Sequence, residues 1–420
     1  MRTSIRFAPC VALLLVLTSR ALGQEHVHEH AAAMAEPPSL SPDTMSAMLA
    51  ADPGEKWLTM VHGFAFLTYN RQSGPSGGED FESQNHVMAA ALHRLWGGKL
   101  SLLGTFSLEP ATIPRAGSYE LFQRGETYNG ILLVDRQHPH DLFIELAAAW
   151  ERRLSDSFAL RLYLAPVGEP ALGPIAYPHR LSASAMPQAP LSHHNQDSTH
   201  ITYDVMTAAA DWGPLTVEGS AFHGAEPNEN RWDIEAGPID SYSGRLTLRL
   251  LPELQGQVSV GHLENPEAIE PGNQTRAVGA LYWQRLTSDG FLAVSLISGF
   301  NDTEEGREWG SLLEGTWRFG SNGIFGRVEA VDRDLYELTH KTQRPDGVER
   351  VRTRVWAATL GVSRDLPLFP NVATSAGASA TLYHFTSRLD PVYDKTPFGF
   401  QAFLRIGFGS HGGAAPHHAH

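Results

Sequence analysis

The chain can be cut into about sixteen short segments of alternating apolar and polar residues whose connections switch between short and long, the pattern of an outer-membrane β-barrel. Two-residue alternation is the mark of a strand with one apolar and one polar face. The segments run near 57–69, 84–96, 98–108, 142–154, 158–166, 200–212, 214–223, 241–250, 255–263, 274–285, 291–299, 309–319, 323–332, 351–364, 372–383 and 398–408. After each even segment the connection is tight, as at Gly97, Ser155-Asp156, Gly213, Pro252-Glu253, Ser288-Asp289-Gly290 and Ser321-Asn322. Connections after odd segments are long. The expected fold is therefore all-β: a transmembrane antiparallel up-and-down barrel with long outer loops partly folded into the lumen. An even strand number places both termini in the periplasm.

The alternation separates two faces. In the last segment Phe398, Phe400, Ala402, Leu404, Ile406 and Phe408 share one side, and Gln401 and Arg405 the other. A water-soluble sandwich would alternate too. Tryptophan position argues for the membrane: Trp57 opens the first segment, and Trp96, Trp150, Trp212, Trp283 and Trp317 each precede a tight turn. Indole rings favour the headgroup level, so these form a girdle on the short-turn side.

The start of the chain reads as a cleaved secretory signal, with Arg2 and Arg6 ahead of the apolar run 7–18 and small residues at Ala21 and Gly23. The domains expected are a signal at 1–23, a periplasmic segment at 24–55, the barrel at 56–408 and a periplasmic tail at 409–420. The only cysteine, Cys10, lies inside the signal, so disulfides and thiolate metal sites are excluded from the mature chain. A net charge of −14 leaves no basic patch for nucleic acid.

The chemistry-bearing residues concentrate in two loops, near 109–141 and 167–199. Loops that long are usually functional. The first ends in Asp135-Arg136-Gln137-His138-Pro139-His140-Asp141, with Glu145 beyond it. The second carries His179, His193-His194 and Asp197-Ser198-Thr199-His200, with Asp204 beyond it. Because the loops rise from neighbouring strands, His138, His140, His193, His194 and His200 are expected to converge, with Asp141, Glu145 and Asp204 nearby. Imidazoles and carboxylates ligate Zn²⁺, Cu²⁺ or Ni²⁺. A hydrogen-bonded network that pins the loops inside the lumen would use the same residues.

Both ends are rich in histidine. His26, His28 and His30 would stand at the mature N-terminus, and His417, His418 and His420 close the chain. Short histidine-rich tracts read compositionally as metal binding. Alternation assigns Lys99, Arg161, Asp204, Glu218, Arg245, Arg249, Arg327 and Arg405 to the lumen, where basic rings would favour anions. An outer loop holding Asp302, Glu304, Glu305 and Glu308 would instead concentrate cations.

Four stretches carry a resemblance over most of the mature chain: Phe106-Ser107-Leu108-Glu109-Pro110, Asp135 to Asp141, Pro166 to Pro174, and Asp197-Ser198-Thr199-His200-Ile201. With these the chain resembles a family of Gram-negative outer-membrane barrel proteins of uncharacterised function. The resemblance implies the barrel and an association with copper- and heavy-metal-resistance systems. It brings no catalytic residues with it.

The leading functional expectation is a porin-like channel that binds or passes divalent copper or zinc, and not an enzyme. One alternative is an enzyme acting on lipid or lipopolysaccharide through Ser198 and His200, which would share a strand face. Another is a plugged, metal-storing barrel. The expected partners are outer-membrane lipid, lipopolysaccharide and the barrel-assembly machinery. A homo-oligomer is compatible with this size of barrel, and nothing in the sequence forces one.

Overall fold

The computed structural model describes residues 53, 56–268, 272–370 and 372–412. The signal segment and both histidine-rich ends (His26, His28, His30, His417, His418, His420) lie outside the described residues.

The strands are β1 (Leu58–Gln72), β2 (Gly78–Glu82), β3 (Asn85–Leu95), β4 (Gly98–Phe106), β5 (Ser118–Tyr128), β6 (Ile131–Gln137), β7 (Phe143–Ser155), β8 (Phe158–Gly168), β9 (Thr202–Trp212) and β10 (Leu215–His223). They continue as β11 (Ser241–Leu251), β12 (Leu254–Leu263), β13 (Gln274–Thr287), β14 (Gly290–Thr303), β15 (Gly306–Phe319), β16 (Asn322–Asp334), β17 (Arg352–Asp365), β18 (Ala373–His384) and β19 (Phe398–Gly412). β2 and β3 both pair with β1 and together make one stave. β5 and β6 form a separate hairpin. The remaining strands pair with their neighbours in chain order, and β1 closes on β19 from Thr59–Gly412 to Gln72–Gly399. The result is a closed 16-strand antiparallel barrel. Closure pairs every edge, which an open sandwich cannot do.

The two faces sort by polarity. Leu246, Leu248, Leu250, Val258, Val260, Leu281, Leu296, Leu360 and Leu382 are exposed on the outer wall. Gln257, Ser259, Glu314, Arg327, Gln401 and Arg405 are buried on the inner one. Trp57, Trp96, Trp212 and Trp317 are exposed at the short-turn end. Trp309 and Trp356 are exposed towards the long-loop end, so the aromatic girdle is two-sided, not one-sided as the turn spacing suggested.

The segment boundaries shift in three places. β14 and β15 run to Thr303 and from Gly306, so Glu304-Glu305 is a two-residue turn and no long acidic loop exists there. Glu308 sits within β15, buried against Arg350. β19 continues past Phe408 to Gly412.

The largest difference lies inside the barrel. The segment 109–141, expected as a loop without structure of its own, contains the β5–β6 hairpin. It turns at Asn129-Gly130, both with positive φ (55° and 71°), the backbone that a type I′ turn demands. Phe122 of this hairpin is fully buried against Tyr393, 4.1 Å between ring centroids, with Tyr383 and Phe385 around it. Asp135 accepts from Phe122 N and Tyr393 Oη and pairs with Lys341, fixing the hairpin to the wall-side loops.

The second loop, 169–201, crosses the lumen and touches the wall strand by strand. Ala171 N donates to Ser220 of β10, Gly173 N to Ser259 of β12 and Ile175 N to Tyr282 of β13. Ser182 bonds Ser295 of β14 and Glu314 of β15. At the far wall Arg180 donates to Glu314, which also accepts from Arg327 of β16. Both long loops therefore fold into the barrel.

Candidate metal site inside the lumen

The end of the second loop makes a short helical turn, His193–Gln196, seated against the wall. Gly310 of β15 provides the clearance: a Cβ there would lie 2.8 Å from Ser192 and 3.0 Å from Asn195. Arg276 and Asn301 donate to the His194 carbonyl from β13 and β14. Arg333 of β16 donates to the Leu191 carbonyl and the Asn195 side chain. This turn carries His193 and His194 into the centre, and a following turn, Ser198–His200, carries His200. His200 and Ser198 thus sit on a tight turn inside the lumen and not on a strand face.

From the other side comes Gln137 to Asp141, the end of the hairpin. The five rings form one contiguous group. His138 lies 5.4 Å from His194 and 6.3 Å from His193, between centroids. His193 lies 5.0 Å from His194 and 5.1 Å from His200. His140 lies 5.2 Å from His200. One nitrogen from each of His138, His193 and His194 falls within 4.8 Å of the other two.

Four of the five rings are held from behind. His140 Nδ1 lies 2.7 Å from Glu109 Oε2, and His193 Nδ1 2.6 Å from Asp197 Oδ1. His138 and His200 set Nδ1 against backbone carbonyls, those of Pro139 at 3.1 Å and Asp197 at 2.7 Å. An Nδ1–H donated to oxygen leaves the lone pair on Nε2. That is the tautomer and orientation found in histidines that ligate metals. The Nε2 atoms of His138, His140, His193, His194 and His200 are all buried without a hydrogen-bond partner. A buried nitrogen left unpaired is costly, so five in one place need an explanation. His138 Nε2 approaches Glu126 Oε1 to 3.0 Å, off the hydrogen-bonding direction.

Burial, with Arg231 and the neighbouring imidazoles adding to it, holds His138 well below the usual imidazole range. Burial and His193 do the same for His194, and burial with His193 and His140 for His200. His140 goes the other way: burial lowers it, but the Glu109 carboxylate outweighs that and raises it. Three rings are thus kept neutral, the form that can coordinate.

Gly125 is part of the construction. Its φ is 142°, and a Cβ there would lie 2.2 Å from His194 Cε1, so the hairpin approaches the imidazole as closely as bare backbone allows.

The other expected site residues divide. Asp141 is buried but turned to Arg231 and Tyr203, tying the outer loop 224–240 down. Glu145 bonds Tyr163 and Thr105 on the wall, apart from the rings. Asp204 is not in the lumen wall. It sits at a bulge with φ 51° and accepts from Gly237 N of the same loop, and it is in phase with Met206 and Trp212, which are exposed on the outer wall.

Below His200 a cavity of about 360 Å³ opens. Arg161, Glu218, Arg245 and Arg249 line it as alternation predicts, with Glu145, Glu169, His179 and His200. Arg161 and Arg245 pair with Glu218. Arg327 and Arg405 face inward elsewhere, on Glu314 and over the rings of Phe64 and Phe66. Lys99 keeps the parity of the buried Ser101 and Thr105. Sequence reasoning missed Glu109, Glu126, Arg180, Arg231, Tyr177 and Glu314. The first two lie in segments read as plain loop, although Asn129-Gly130 is a strong hairpin signal that would have exposed the β5–β6 pair.

Burial, with His62 and His140 adding to it, pushes His179 down to about 4. An unfolded histidine takes up its proton near 6.5, so the neutral ring's contribution is complete above about pH 6.5 and lost as pH falls through about 4. The ring is partly exposed, so in His179→Asn the slope of unfolding free energy against pH should drop by up to about 1 kcal/mol per pH unit in that window. Urea unfolding of both proteins at several pH values between those limits measures it. Equal slopes would show that the ring is solvated.

No family model matches the chain, and no curated protein does. Solved structures similar in fold include an anion-selective porin from Comamonas acidovorans, at TM-score 0.51 and 10% identity over 84% of this chain and 100% of that one. Also similar are OmpT of Vibrio cholerae (TM-score 0.46, 8% identity, 84% and 99% covered) and OpdK from Pseudomonas aeruginosa (TM-score 0.43, 9% identity, 84% and 99% covered). The chain has the fold of an outer-membrane barrel.

Proposed function

We propose that this protein is a porin-type barrel of the Gram-negative outer membrane whose lumen binds a divalent transition-metal ion, copper or zinc, on His138, His193 and His194. The observation that carries this reading is the gathering of three buried rings, one nitrogen of each within 4.8 Å of the other two, whose Nε2 atoms make no hydrogen bond and of which His138 and His193 are tethered through Nδ1. Imidazole donors suit Zn²⁺, Cu²⁺ and Ni²⁺, and the absence of thiolate or thioether donors among these three residues disfavours Cu⁺. His140 and His200 flank the trio as further donors. The implied association with copper-resistance systems fits this chemistry.

Within this reading the two long loops are the scaffold of a site as well as the narrowing of a channel. The lipid-enzyme alternative is weaker, because Ser198 is buried in the lumen while acyl chains lie outside the wall. Anion selectivity, the property of the Comamonas porin, has some support from Arg161, Arg245 and Arg249, though Glu218 neutralises the first two in part.

The test is metal content. Refolded wild-type protein and a His138→Ala/His193→Ala/His194→Ala variant are each dialysed against micromolar Zn²⁺ or Cu²⁺ and assayed by mass spectrometry. The histidine-rich ends contribute equally to both. The wild type should retain one equivalent more than the variant. Equal retention by two equally folded proteins would overturn the reading.

A further inference from the structure

The metal site has two unlike sides, and they differ in whether an ion can reach it. On the side of the long loops the rings are roofed by paired charges. Arg231 closes over His138, clamped by Glu126 and Asp141. Arg124 stands beside His194 between Glu337 and Glu267, and Arg276 and Arg333 are fully buried on either side of the same turn. A guanidinium stays charged whatever its surroundings, so an approaching dication meets fixed positive charge on this side. It would also have to part ion pairs that are nearly dry.

On the other side lies the cavity beneath His200. It is walled at its lower end by Asp211, Thr216, Arg249 and Gln255, all beside the tight turns that follow β9 and β11. Arg249 there is exposed, so the cavity meets solvent at the short-turn end. Its upper end is lined by His179 and His200. From His200 the next ring is His193 at 5.1 Å, a member of the trio. Carboxyl groups lie along the whole route, Asp211 low down, Glu218 midway, and Glu145 and Glu169 near the top, and they outnumber the guanidiniums of Arg161, Arg245 and Arg249 in the same lining.

We infer that a divalent transition-metal ion loads this site from the short-turn end, through the cavity and past His200, and not through the long loops. This rests on the metal reading given above. His179 and His200 are the first imidazoles the ion meets, and His193 passes it to the position between His138 and His194. The site is then a periplasm-facing one, on the side where β1 begins and β19 ends.

Thiol labelling tests the route. Cys10 is replaced by serine, so an introduced cysteine is the only thiol. Arg249→Cys places it at the cavity mouth, and Asp233→Cys places it on the exposed outer loop beside Arg231. Each protein is measured with and without a bulky polyethylene-glycol maleimide. Co²⁺ binding is followed by stopped-flow absorbance, with the signal of the matching His193→Ala protein subtracted. Labelling Arg249→Cys should slow loading at least tenfold with little change in the final amplitude, because the site itself is intact. Labelling Asp233→Cys should leave the rate unchanged. Slowing by the outer label alone, or by neither label, overturns the inferred route while the metal reading stands. No His193-dependent signal in any unlabelled protein overturns the metal reading itself.

Discussion

Glu314→Ala is expected to destabilise the protein by about 3–5 kcal/mol and to free the lumen loop 169–201. The carboxylate is fully buried and accepts from Arg180 at 2.6 Å, Arg327 at 2.9 Å and Ser182 at 2.9 Å. Its removal leaves two guanidiniums in the interior without that counter-charge. Arg180 keeps Asp197 and the Ile175 carbonyl, so it stays near the rings, while the contact between loop and far wall is gone. The same change should raise single-channel conductance in a planar bilayer, because the loop no longer spans the lumen. Urea unfolding in detergent gives the first quantity and bilayer recording the second. A loss below about 1 kcal/mol with unchanged conductance would mean that Glu314 is a bystander and that the wall holds the loop elsewhere. A Glu314→Gln protein separates charge from shape, since the amide keeps the volume and one acceptor.

The metal site should show graded losses. His193→Ala removes the ring that touches every other member of the group except His140. Asp197→Asn keeps that ring but weakens its tether, because the carboxylate lies 2.6 Å from Nδ1. Burial opposes ionisation of Asp197, but His193 and Arg180 outweigh it and hold the carboxyl well below its usual range. The side chain is thus a carboxylate that orients His193. Loss of such a partner costs roughly 10–100-fold in metal affinity. Loss of the ring itself should exceed that, to more than about 100-fold. Competition titration with a chromophoric chelator would rank the two. If Asp197→Asn bound Zn²⁺ as tightly as the wild type, the contact between Asp197 and His193 would be structural only.

How much of this was legible follows from which interactions are local. Alternation is a property of consecutive residues, so all sixteen staves could be placed from it, with Gln401 and Arg405 inward and Phe398 and Phe400 outward. Asp204 is in phase with the outward Met206 and Trp212, so the alternation itself places it outside the lumen, and the strand ends at Thr303 and Gly306 were hidden by the run of acids between them.

The histidines were legible as a set because five imidazoles lie in two loops that adjacent strands must bring together. Their partners were not. Glu126 and Arg231 meet across 105 residues of sequence, and Arg180 and Glu314 across 134. No local pattern relates residues at such a separation.

The sequence by itself determined the barrel and the residue types in its lumen, because period-two hydrophobicity and turn length act over a few residues and the bilayer accepts few other solutions. Only the tertiary structure decided what the lumen does. The hairpin folds inward, Gly125 lets it reach His194, and tethers from Glu109 and Asp197 turn the rings. The charged layer over the rings and the cavity beneath them also come from the packing of distant loops. Those contacts depend on three-dimensional complementarity between segments the chain keeps far apart, and no periodicity encodes that.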